Sequence, residues 1–397
     1  MKMLKLALLG GAALAVTSAG AYADDLSALK AEIEALNSRV AQLEATPSVP
    51  AGYQLVTITT GDAMVVPGNQ FSDNRDRSSF GSKATVISVL PTADAPATTS
   101  IEWSGYARAA LVYTSTGADV GDPNEDDWDV LARGQIRVVG KTDTAVGEVG
   151  ARVNIRGDFD GFGEAGRGGN DAFYMKEAWG WWAMTPELTL GGGYTGHLGD
   201  VAYGVDGTCN CYYTDNFLGF TPGDSTQMRL SYASGPMSAA VSINDGSRSD
   251  GDLSGDRMGA AGEVAYSGDT VSGEVSAYWL NQDHYADDEY QIAAGLGFAL
   301  GDIASISAAI GWKHTRDDDD QWQGSIIASA NLSDSVHAEV GYGHIDVNHG
   351  IDDTDTVLAG IYYDPVSQLT IGVEAEWADT GAGDDWTRAD LVTVFRF

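Results

Sequence analysis

From residue 101 onward this chain alternates its side chains with a period of two, and that pattern constrains its fold more than any other feature. Arg133, Gln135 and Arg137 alternate with Gly134 and Ile136, and Arg152, Asn154 and Arg156 alternate with Val153 and Ile155. Such a period belongs to a β-strand, whose successive side chains point to opposite faces. Comparable text recurs at 101–115, 129–141, 147–157, 173–184, 187–194, 227–233, 237–244 and 258–266. It continues at 271–280, 290–300, 303–314, 323–332, 336–345, 356–363, 368–377 and 389–397. Short junctions such as Gly235-Pro236, Gly268-Asp269 and Gly301-Asp302 alternate with longer acidic ones. Past the N-terminal leader no apolar run approaches the length of a spanning helix, so membrane insertion must use strands. A strand of roughly ten residues suffices to cross at a tilt.

A soluble sandwich also alternates, so two further signals matter. Aromatic residues gather near segment ends, among them Trp103, Tyr113, Trp128, Trp179, Trp279, Trp312, Trp322, Tyr362, Tyr363 and Trp377, as interfacial girdles require. Charge lies deep inside the segments, where a dry core would not tolerate it. The expected fold is therefore all-β: an antiparallel transmembrane barrel of about sixteen strands with one short-turn side and one long-loop side. Arg108, Arg133, Arg137, Arg152 and Arg156 share the polar parity of three successive strands. Facing lipid at mid-bilayer each would cost about 2–4 kcal/mol, so they belong on a wet interior wall.

The N-terminal hundred residues read differently. Lys2 and Lys5, an apolar run from 6 to 16 and Ala21-Tyr22-Ala23 describe a cleavable secretory signal over residues 1–23. Residues 24–46 carry Leu26, Leu29, Ile33, Leu36, Val40 and Leu43 on a heptad seam, which predicts a short coiled-coil helix ended by Pro47 and Pro50. At about three heptads it is too short to stand alone, so self-association is expected, packing on its own barrel being the alternative. Residues 47–100 form a Pro-, Thr- and Ser-rich linker or neck with two strand-like runs, 53–60 and 84–90. The barrel is expected over residues 101–397.

Composition excludes other classes. With 57 acidic against 22 basic residues the chain would repel a phosphate backbone, so no nucleic-acid partner is expected. Cys209 and Cys211 are its two cysteines, which rules out a multi-cysteine zinc site; in an oxidising compartment they can pair, closing a tight and strained loop. The acidic runs near 122–129, 317–320 and 352–355 have Ca²⁺- or Mg²⁺-ligand chemistry without the twelve-position loop spacing, so solvated outer loops are the simpler account. Gly191-Gly192-Gly193-Tyr194-Thr195-Gly196 spells a dinucleotide fingerprint, but no helix follows to hold a pyrophosphate. No nucleophile elbow or catalytic triad is present, so neither an enzyme nor a cofactor is expected.

The Ala21-Tyr22-Ala23 site, strand text such as Trp103-Ser104-Gly105-Tyr106-Ala107-Arg108, and the closing Val394-Phe395-Arg396-Phe397 resemble the trimeric general porins of alphaproteobacteria. The resemblance implies a homotrimer in the outer membrane of a Gram-negative bacterium, surrounded by lipid and lipopolysaccharide, passing small polar solutes through a water-filled pore. It also implies that Phe395 and Phe397 are read by the outer-membrane assembly machinery. The N-terminal helix resembles a periplasmic extension, and the family's usual trimer favours three helices over two. In such porins the third long loop folds inward; here that is residues 196–225, with Asp200, Asp206, Asp215 and Asp224 facing the basic wall. A channel selective for phosphate, sugar or another small anion, or a barrel-anchored adhesin, would share much of this text.

Overall fold

The protein is described by a computed structural model over residues 55–64, 66, 67, 80, 81, 83–89, 99–116, 126–159, 172–201, 203, 204, 223–245, 258–281, 288–315, 319–347, 353–379, 381 and 385–397. Contacts divide the chain into two units, residues 1–55 with 92–94 and residues 56–91 with 95–397, and the second holds every strand among the described residues. The signal segment and the heptad helix lie outside the described residues.

Two strands come first, β1 (Val56–Asp62) and β2 (Lys83–Val89). The barrel begins with β3 (Thr99–Thr116), β4 (Asp126–Thr144), β5 (Gly147–Phe159), β6 (Ala172–Ala183), β7 (Leu188–Gly196) and β8 (Asp224–Ser234). It continues through β9 (Met237–Asp245), β10 (Met258–Ser267), β11 (Val271–Leu280), β12 (Glu289–Leu300) and β13 (Ala304–His314). It ends with β14 (Asp320–Ser333), β15 (Val336–Val347), β16 (Thr354–Val366), β17 (Leu369–Asp379) and β18 (Trp386–Arg396).

Each barrel strand pairs antiparallel with its sequence neighbours, and β18 pairs with β3 from Trp386↔Thr116 to Arg396↔Tyr106, so β3 to β18 close a sixteen-stranded cylinder. Closure removes every open edge, which is what lets strands live in lipid. At the short-turn end β2 takes over the β3 edge just beyond the last residues of β18, pairing Thr85↔Trp103 to Val89↔Thr99. β1 pairs with β2 along its whole length.

The distribution of side chains is the reverse of a water-soluble protein. Large apolar residues are exposed on the outer face, including Val130 at 63%, Met228 at 64% and Ile310 at 59%, whereas Arg152, Asn154, Asp158 and Glu374 are fully buried inside. An outward apolar band and a polar interior suit hydrocarbon outside and water within. Trp103, Trp128, Trp279, Trp322, Tyr363 and Trp377 do lie outward. Trp179 and Tyr362, expected in the girdles, instead point inward, at 2% and 0% exposure, because each shares the parity of its inward strand neighbours, Glu177 and Gly360. The Gly-rich fingerprint lies within β7, a strand paired on both sides, and the ring of Trp179 covers Gly191.

Candidate functional site

The inner wall is where the chemistry concentrates. Register brings together Arg108↔Arg133, Tyr106↔Gln135 and Ser104↔Arg137 between β3 and β4. Between β4 and β5 it aligns Arg133↔Asp158, Gln135↔Arg156 and Arg137↔Asn154, with Arg152 opposite Val139. All five arginines that the sequence places on the polar parity thus lie on one inward patch of three adjacent strands.

Their partners decide how much charge reaches the lumen. Arg133 is ion-paired to Asp158, and Arg152 donates to Glu177 Oε1 at 2.6 Å. Arg156 donates to neutral oxygens, Gln135 Oε1 at 2.9 Å and the Tyr174 hydroxyl at 3.2 Å. Arg137 donates weakly to Ser104 Oγ at 3.4 Å and lies 4.2 Å over the ring of Phe80, while Arg108 lies over Tyr106 at 5.7 Å. Gln135 ties the patch together, accepting from the Tyr106 hydroxyl at 2.5 Å and donating to Asn154 Oδ1 at 2.8 Å. Like charges directly opposite on a sheet repel, so Arg108 facing Arg133 is tolerable because Asp158 offsets one and water screens the lumen.

Carboxylates stand on several other wall strands, in addition to the loop where the sequence leads one to expect them. Glu274 on β11, Glu289 on β12, Glu339 on β15, Glu374 and Glu376 on β17, and Asp390 on β18 all point inward and are buried. Glu289 accepts from the Tyr278 hydroxyl at 2.7 Å and pairs with Lys313 at 3.1 Å. In a closed ring of sixteen strands, β11 and β12 stand eight places from β3 and β4, hence diametrically across the lumen from the arginine patch. Applying the parity rule to Glu374-Ala375-Glu376 would have found these residues. The same rule would have found Arg229 on β8, which donates to Gly196 O at 2.6 Å and Gln227 Oε1 at 2.7 Å.

The segment after β7 turns into the barrel. His197 and Asn244 are bonded at 2.7 Å, and Gly199 O accepts from Ser276 Oγ at 3.3 Å and Gln291 Nε2 at 2.9 Å. Leu198 packs with Ala261, Tyr278 and Leu280, Val201 with Ala293 and Ala309, and Gly204 N donates to Ser307 Oγ at 2.8 Å. These partners are inward residues of β9 to β13, so residues 197–201, with Tyr203 and Gly204, lie along the inside of the cylinder. Tyr203 packs over Gly295 and Gly297. Asp200 is fully buried in this segment. Asp224 opens β8 and is ion-paired to Lys176 of β6, so it belongs to the wall. Asp206, Asp215, Cys209 and Cys211 lie outside the described residues.

A family model described as Gram-negative porin matches residues 84–391. The fold resembles the outer membrane channel DcaP of Acinetobacter baumannii, with a TM-score of 0.59 at 16% identity over 78% of this chain and 99% of that one. It also resembles OmpT of Vibrio cholerae in a form lacking its loop L8, with a TM-score of 0.55 at 14% identity over 75% and 99%. A porin structure refined at 1.8 Å gives a TM-score of 0.52 at 18% identity over 75% of this chain and 100% of that one. No curated protein sequence matches the chain.

Proposed function

This chain belongs to the Gram-negative porin family and forms an outer-membrane channel, and we propose that solutes crossing it are sorted by a field running across the lumen from the arginine patch to the opposite carboxylates. The observation that carries this reading is Arg108, Arg133, Arg137, Arg152 and Arg156 converging on β3 to β5 with Glu274 and Glu289 eight strands away. Rings and walls of fixed charge set ion selectivity by the sign and strength of the potential they hold in the pore. Polar solutes align in such a field, whereas an apolar solute must displace oriented water. The inward segment after β7 narrows the passage between the two walls, and Asp200 adds a carboxylate there.

Neutralising Arg133, Arg137 and Arg152 together shifts reversal potentials in planar bilayers towards cation selectivity. Unchanged potentials would remove the arginine patch from the selectivity mechanism. A second reading, a channel preferring small anions such as phosphate, draws support from the crowding of Arg108 against Arg133. Saturable block of chloride current by phosphate separates it from general diffusion.

We further infer a homotrimer of the general-porin type, its three N-terminal heptad seams (Leu26, Leu29, Ile33, Leu36, Val40, Leu43) coiled together in the periplasm. Supporting this are the strict a/d spacing and a helix too short to persist alone. Phe395 on β18 and Phe397 just after it, both outward, suit recognition by the assembly machinery.

A further inference from the structure

Among the described residues, four apolar patches interrupt the polar inner wall, and in a water-filled lumen each needs a cover. Two are covered by the segment after β7: Leu198 seals Ala261, Tyr278 and Leu280, and Val201 seals Ala293 and Ala309. The other two lie elsewhere on the wall. One joins Val139 of β4 with Trp179 and Trp181 of β6; the other joins Tyr106 and Val112 of β3 and Leu131 of β4 with Tyr362 of β16 and Val392 of β18.

Residues of both patches pack with described residues of the connection between β1 and β2. Val66, 0% exposed, packs with Val139, Trp179 and Trp181, and Met64 joins it from the side. The Met64 backbone N–H donates to Glu102 Oε2, an inward carboxylate that is fully buried. Phe80, 1% exposed, meets Tyr106 edge-on with centroids 5.1 Å apart and lies beneath the Arg137 guanidinium. Gly81 then carries the chain back to β2 at a φ of +75°, facing the Arg396 side chain, a place where a Cβ would be strained. Pro67, with Leu198, Arg229 and Glu263, lines a cavity of about 100 Å³.

From these contacts we propose that the two described ends of this connection, Met64, Val66 and Pro67 after β1 and Phe80 and Gly81 before β2, are a size-determining stopper, inserted into the lumen from the short-turn end to form, with the segment after β7, the narrowest cross-section of the pore. It rests on the channel reading but concerns a different element. The inserted residues are apolar and meet apolar wall, so they are held by burial; Glu102 and Arg137 fix them by a hydrogen bond and a cation–π contact. Anchoring Phe80 under Arg137 also places a basic-wall residue in contact with the stopper, which ties the size filter to the charge filter.

The test uses the full-length protein with residues 63–82 replaced by Asn-Gly. Asp62 and Lys83 are the last register pair and are ion-paired, so a two-residue turn joins β1 to β2 without disturbing either. Single-channel conductance in planar bilayers should rise roughly twofold or more, with larger sugars admitted in liposome swelling, because pore diameter governs passage. An unchanged conductance and size cut-off would overturn the proposal while leaving the channel itself intact. Absence of any channel in the unaltered protein would instead defeat the porin reading.

A second measurement serves if that variant does not assemble. In a Cys209→Ser, Cys211→Ser background, Val66→Cys and Val139→Cys should cross-link under mild oxidant in the folded, membrane-inserted protein. Phe80→Ala should raise conductance by a smaller factor. No cross-link in folded protein would mean that Val66 does not enter the lumen, and the proposal would fall.

Discussion

Phe397 and Gly105 close the barrel by exchanging backbone hydrogen bonds in both directions, Gly105 N to Phe397 O at 3.1 Å and Phe397 N to Gly105 O at 3.0 Å. The Phe397 ring lies over Gly105 on the outer face, in the volume that a Cβ there would occupy. The seam between the last strand and the first therefore depends on a side chain being absent at one residue and aromatic at the other. Gly105→Val should dislodge the ring and lower stability by about 1–3 kcal/mol, a typical cost for overpacking. Urea unfolding of detergent-refolded protein, followed by tryptophan fluorescence, measures it; an unaltered midpoint would mean that the ring does not brace the seam.

The carboxylates across from the arginines make a prediction of opposite sign to the arginine variant. Glu274→Gln together with Glu289→Gln should move the reversal potential towards anions, since the basic patch would then face a neutral wall. A shift towards cations, or none, would place the controlling charge elsewhere.

Both effects should fade with salt. Charges screen over about 10 Å at 0.1 M ionic strength and about 3 Å at 1 M, so permeability ratios should approach those of free ions near 1 M potassium chloride. Selectivity that persisted at 1 M would point to direct ligand contacts instead of a field.

The buried pair Arg152–Glu177 should be costly to break from one side. Arg152→Met leaves Glu177 with Thr195 as a remaining donor, at 2.5 Å, and should destabilise by about 3–5 kcal/mol, the cost of stranding a charge at a site this enclosed. Arg152→Met with Glu177→Gln should recover much of that loss. A single variant as stable as the parent would show that lumen water reaches the pair.

Outward positions should refuse charge. Ile310→Arg, mid-strand on β13 and facing outward, should destabilise folding into bilayers by about 2–4 kcal/mol, whereas Ser329→Arg, on the inner face of β14 beside Glu339, should fold. Equal behaviour of the two would invert the assigned faces.

Much of the architecture is legible in one dimension. A strand's two faces are set by parity alone, so Arg133, Gln135 and Arg137 declare a polar face without any knowledge of neighbours, and turn residues mark where each strand stops. The inward orientation of Trp179 and Tyr362 is equally present in the parity, but an aromatic near a strand end also suits a girdle, and composition does not choose between them. Asp224 reads as a loop carboxylate in the sequence, and only its pairing with Gly196 shows that β8 begins there. The acidic wall from β11 to β18 is hard to see in the sequence because its residues are spread singly or in pairs over strands far apart along the chain.

Local alternation, then, determined strands, faces and the need for a closed cylinder, because those follow from backbone geometry and the exclusion of unpaired peptides from lipid. Which strands stand opposite, which arginine meets which carboxylate, and that Val66 and Phe80 lie inside the barrel were decided only by tertiary structure. Those relations depend on cross-strand register and on a chain segment returning through the lumen, and neither leaves a periodic trace in the residues concerned.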